Sequence, residues 1–192
     1  MSALISVKMS AKSKNLSTRL GAIMLYALIG GLSGLLETII AYILGRNIVI
    51  HNLALSFTIN GLAFTVVGAG VIMSLTFSVP ELSGKVGKAL SGGMVAGFLA
   101  GLFFHFGIGL YIGIVILSAA TAFLIKMLGA PHSERIFIGG VLGGYGSIFL
   151  SIIFMSDQPT WVFTTLSTAT IIYFITFGML ASRTLIPSSP SQ

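Results

Sequence analysis

The chain of 192 residues is 55% hydrophobic and only 7% charged, with a mean hydropathy of +1.05, whereas a soluble globular domain carries roughly 25% charged residues. This is the composition of an integral membrane protein, and spans of about 20 residues each consume most of the length, so one domain is expected and no soluble enzyme beside it. The formal charge of +6 is scattered between apolar segments rather than gathered on a face with aromatic stacking positions. The cations therefore read as topology determinants and lipid-headgroup contacts, and no nucleic acid is expected as a partner.

Residues 1–19 form a basic N-terminal arm with Lys8, Lys12, Lys14 and Arg19. A basic stretch before an apolar run resembles a signal peptide, but this run continues to Leu44, about twice the usual signal core. It reads as a retained first transmembrane helix, 20–44, ended by Gly45 and Arg46. A second span, 50–79, opens on His51 and Asn52 and closes at Pro80 and Glu81. The loop with Lys85 and Lys88 leads into an apolar run from Ala89 to Leu128, long enough for two crossings. Gly107 and Gly109 mark its reversal, which gives a third span, 89–106, and a fourth, 110–128. Gly129 and Pro131 end the fourth. The fifth span, 136–155, is followed by Asp157 and Pro159, and the sixth, 160–181, opens on Trp161, an interfacial residue type. The tail, 183–192, is expected to be flexible.

The fold class expected is thus an all-α integral membrane protein, a six-transmembrane-helix bundle over 20–182. Six spans divide the connections into two sets, and nine of the ten basic residues fall on one side: the arm, Lys85, Lys88, Lys126, Arg135 and Arg183, with only Arg46 opposite. The basic side is the cytoplasm, so both termini are expected to be cytoplasmic and the protein to lie in the cell membrane.

Within the third span, Ala89, Gly93, Gly97, Gly101 and His105 recur every four residues and make one helix stripe with little side-chain bulk. Lipid supplies no hydrophobic drive between helices, so small residues that allow close backbone approach mark packing faces. The same logic selects Gly30 and Gly34 in the first span, and Gly139, Gly143 and Ser147 in the fifth. Pairs at Gly30-Gly31, Gly92-Gly93 and Gly139-Gly140, each followed by another glycine, fit either three related helical hairpins or simple close packing.

Glu37 is the one carboxylate inside a span. An ionisable group at that depth costs several kcal/mol unless it is paired, neutralised or facing water. It should point into the bundle, as a solute-binding group or as a protonated, hydrogen-bonded structural one. His105 continues the glycine stripe and is either a ligand or a membrane-surface residue; Asn60 adds a donor and an acceptor at intermediate depth. Glu37, Arg46, His51, Asn52, Asn60, His105 and Asp157 all belong to the outer half, with hydroxyls such as Ser118 and Thr121 in the inner half. The asymmetry points to an outward-opening polar pocket with Glu37, Asn60 and His105 as its candidate residues.

No enzyme is expected. The chain has neither a GxxxxGK[ST] phosphate loop nor an HExxH zinc motif, and Gly31-Leu32-Ser33-Gly34 matches the GxSG string of intramembrane serine proteases without its surroundings. With zero cysteines there is no thiol nucleophile, disulfide or Cys-ligated metal. Glu37 with His105 is too small a ligand set for a metal. No cofactor is expected.

In size, helix count and small-residue faces the chain resembles in outline the substrate-binding membrane components of energy-coupling-factor vitamin transporters. That resemblance implies a membrane transport subunit that takes a small solute from the outer side. A second membrane subunit and cytoplasmic ATPases would be its partners, docking on faces such as Gly30/Gly34. The alternative is a non-enzymatic structural or assembly subunit of a larger respiratory, secretion or DNA-transfer complex, whose glycine stripes bind other membrane subunits.

Overall fold

The computed structural model describes residues 21–40, 42–43, 53–103, 108–130 and 133–185. The arm, most of the tail, Arg46, Asn52 and all three histidines lie outside the described residues. Six helices are present among them: α1 (Gly21–Ile40), α2 (Leu53–Thr76), α3 (Val86–Gly101), α4 (Gly109–Met127), α5 (Ser133–Met155) and α6 (Thr160–Leu185). Five of them are long and apolar enough to cross a membrane, and the molecule is a helical membrane bundle.

Helix α3 is the exception. It spans 16 residues, about 24 Å, against a hydrocarbon core of about 30 Å. It begins three residues before the expected Ala89 and ends at Gly101, where Leu102 and Phe103 turn, short of the expected Phe106. At the other extreme α6 runs to Leu185, past the expected Ala181, and in its last turn Arg183 donates to Glu81 Oε1.

The connections between helices are made by the residues that turn chemistry demands. After α2 a 3-10 turn, Pro80–Leu82, has proline at its start, where a missing N–H is harmless and φ is already set. Gly84 follows with φ 78°, a left-handed conformation that glycine adopts without penalty. Helix α4 ends in a Schellman motif at Gly129, φ 94°, with Gly129 N–H donating to Lys126 O at 3.0 Å and Ala130 N–H to Ile125 O at 3.1 Å. Ala130 and Ile125 are both buried in the core, which supplies the apolar contact this motif favours.

The core is built by α2, α4 and α6, with Val67, Val71, Ile72, Leu117, Ile125, Ile172, Ile175 and Met179 at its centre. Around it, α2 packs most extensively on α3 and α5 on α6, with α4 between the two pairs. Both pairs are antiparallel glycine interlocks. A Cβ on Gly93 would meet Ile72 and Gly68, one on Gly97 would meet Phe64 and Gly68, and one on Gly101 would meet Asn60, Gly61 and Phe64. Each step of four residues up α3 is answered by a step down α2. In the second pair Gly139 lies on Gly178 and Gly143 on Phe174.

The glycines of α1 behave differently from a sequence-neighbour hairpin. A Cβ on Gly30 would fall 2.9 Å from Ala169 O, and Gly34 abuts Thr165, so α1 lays this face on α6, while Ser33 touches Gly70 of α2. The stripe of α3 packs back on α2, although Gly92 beside it meets Leu124 of α4, and the stripe of α5 packs forward on α6. The three stripes thus meet helices at non-equivalent places in the chain order, as close packing of small residues allows.

Candidate functional site

Glu37 sits on the α1–α6 seam. The absence of side chains at Gly30 and Gly34 lets the two backbones close up, and the next position on this face, Glu37, is drawn inside with 5% of its surface exposed. Helix α6 meets it with hydroxyls. Thr168 Oγ1 donates to Glu37 Oε2 at 3.3 Å, a long hydrogen bond. One turn toward the N-terminus of α6 the Thr165 and Thr38 hydroxyls lie 3.0 Å apart, and the single Thr38 proton can go either to Thr165 or to Gly34 O at 2.9 Å. The carboxylate is thus set in a small polar patch of threonines between two apolar helices.

The patch reaches an opening. Thr38, with Tyr42, Thr160, Trp161 and Thr164, lines a cleft of about 370 Å³ at the far end of the bundle from the Glu81–Arg183 pair. A volume of this order is within the usual range for small-molecule sites. Its lining is largely apolar although three threonines and a tyrosine contribute to it, and Thr38 is the residue shared between the cleft and the patch around Glu37. Such an arrangement can hold a small, partly apolar solute and offer it hydroxyls; Glu37 lies behind Thr38 and does not itself line the cleft.

Of the other sequence-derived candidates, Asn60 and Asp157 are described. Asn60 is half-buried on α2, with its backbone carbonyl 2.6 Å from where a Gly101 Cβ would stand, so it belongs to the α2–α3 seam. His105 and His51 lie outside the described residues. Asp157 is exposed beyond α5. No group of three or more His, Cys, Asp or Glu side chains that could hold a metal is found among the described residues. Gly30 and Gly34, expected as a docking face for partner subunits, are covered within the chain by Ala169 and Thr165; that face is spent on α6, and partners would have to bind elsewhere.

Comparison with protein-family models, curated proteins and solved structures gave no match. Functional inference for this chain therefore rests on its own residues.

Sequence reasoning missed the threonines. Thr160, Thr164 and Thr168 recur every four residues on α6, with Thr165 beside them, which is a legible hydroxyl stripe on one helix face. It escaped notice because threonine commonly bonds back to its own helix, as Thr164 and Thr165 do to Thr160 O and Trp161 O, both at 2.8 Å. Interior hydroxyls also occur toward the opposite end. Ser74, Ser118, Thr121 and Thr176 are fully buried without a hydrogen-bond partner among the described residues, so buried polarity is not confined to the half that holds Glu37.

Proposed function

We propose that this chain is a small polytopic membrane transport subunit that binds a small solute from the outer side, through the cleft between α1 and α6, with Glu37 as its buried polar group. In this reading the bundle crosses the cell membrane six times, with both termini cytoplasmic and α3 as the shortest crossing. One observation carries it: a carboxylate 95% removed from solvent, met by threonine hydroxyls, beside a solute-sized opening that shares Thr38 with it. A purely structural seam between two apolar helices gains nothing from a carboxylate, whose burial costs several kcal/mol.

The test is native mass spectrometry of the protein gently extracted from its own membrane, for the parent and for Glu37→Gln. Glutamine keeps the size and an acceptor for Thr168 while removing the charge. A small-molecule mass retained by the parent and lost from a folded Glu37→Gln variant supports the solute site. Equal retention by both removes Glu37 from the site.

A second reading has its own observation. Gly31 and Gly146 have nothing within 4 Å of the position a Cβ would take, although glycine weakens a helix by about 1 kcal/mol relative to alanine. Small residues facing outward are what a partner helix would use, which favours a structural or assembly subunit of a larger membrane complex. Stoichiometric membrane partners and no bound small molecule in the same experiment select that reading.

A further inference from the structure

At the opposite end from Glu37, the first turn of α3 and the last turn of α4 enclose a cleft of about 510 Å³ lined by Gly84, Lys85, Gly87, Lys88, Met127 and Leu128. Two glycines line it. A Cβ on Gly84 or Gly87 would meet nothing within 4 Å, so the backbone there is open to a ligand. Lys85 is held in place, because its Nζ donates to Leu128 O at 2.5 Å, one of the carbonyls a helix C-terminus leaves without an intrahelical partner. An ammonium has three donors, and this contact uses one of them.

The surrounding charge is lopsided. The described ionisable residues at this end are Lys85, Lys88, Lys126, Arg135 and Arg183 against Glu81 and Glu134, and Glu81 is occupied by Arg183. Exposed apolar surface accompanies the lysines: Met127, which lines the cleft, is 70% exposed, and Val86, between Lys85 and Gly87 in sequence, is 44% exposed. Cations beside exposed apolar side chains, at the ends of apolar helices, have the chemistry of the headgroup layer.

We propose that this cleft binds a phosphate-bearing anion, with Lys85 and Lys88 as its cationic ligands. The phosphate is supplied either by an anionic phospholipid, whose acyl chains would pass Val86 and Met127, or by free phosphate. The site is separate from the Glu37 seam and does not depend on the transport reading.

The experiment is native mass spectrometry of the purified full chain in mixed micelles. Phosphatidylglycerol is titrated against phosphatidylcholine in one arm, and inorganic phosphate is added to phosphatidylcholine micelles in the other. The parent should retain phosphatidylglycerol in preference to phosphatidylcholine. Lys88→Glu, which leaves the Lys85–Leu128 contact in place, and Lys85→Ala/Lys88→Ala should lower that retention by about fivefold per lysine removed. Lys12→Ala/Lys14→Ala, in the basic arm, should leave it at the parental level. Phosphate binding with the same lysine dependence assigns the free ion as the source, and binding of phosphatidylglycerol alone assigns the lipid. Retention that is unchanged in both cleft variants, or lowered equally by the arm variant, overturns the site.

Discussion

Gly97 of α3 lies so close to Gly68 of α2 that a Cβ built on Gly97 would fall 2.8 Å from the Gly68 amide nitrogen and 3.0 Å from its Cα. The contact is backbone on backbone, so there is no flexible side chain to yield. Helix α3 is short, and this seam is its most extensive one, which makes its position depend on having no side chain at Gly97.

Gly97→Ala should therefore destabilise the bundle by about 1–3 kcal/mol, the cost of forcing extra volume into a packed interior, and Gly97→Leu by more. Gly31→Ala, where a Cβ has open space, should leave the melting temperature in detergent unchanged or raise it. Thermal unfolding of the variants side by side decides the matter. If Gly97→Ala melts with the parent, close backbone contact is not what holds α3 to α2.

The pairing of Glu81 with Arg183 predicts an acid-sensitive clasp. The hydrogen bond from the Arg183 guanidinium, with a smaller one from the Glu81 backbone, holds this carboxyl below its ordinary value. Because the folded pKa is the lower one, the stabilisation is fully present above the unfolded value, about 4.3, and is lost as pH falls through the folded value. The pair is partly exposed, so its effect is small. Arg183→Ala should lower Tm by no more than about 2 °C at neutral pH. The difference from the parent should vanish in acid, below the folded pKa of Glu81. A gap between the two melting curves that stays constant through that acid range would contradict the linkage.

The antiparallel seating of α3 on α2 makes a topological prediction. Ser83 and Ile108 are exposed at opposite ends of the α3 region, and a chain with no cysteine of its own reports cleanly through single introduced ones. A membrane-impermeant maleimide should label Ile108→Cys and Gln158→Cys in intact cells, and Ser83→Cys only after permeabilisation. Labelling of Ser83→Cys and Ile108→Cys from the same side would make α3 a re-entrant segment and reduce the crossings to five.

The apolar runs that gave α1, α2, α4, α5 and α6 are local features, and so are the punctuating residues. Pro80 and Gly129 stop helices because proline lacks a donor and glycine tolerates positive φ wherever they occur. The spacing of Gly93, Gly97 and Gly101 is likewise a property of one helix, and it was enough to indicate that α3 has a smooth face. So was the burial of Glu37, which follows from a charge lying seventeen residues beyond Leu20 in an otherwise apolar span.

What each face meets is decided by tertiary packing alone. The stripe on α1 closes on Ala169 and Thr165 of α6 rather than on α2, and Glu37 finds Thr168, 131 residues away. Arg183 reaches Glu81 across 102 residues. Helix periodicity says which side chains share a face, but small-residue faces are complementary to many others. The partner is chosen by which pair of backbones can approach most closely once all six helices compete for the same interior.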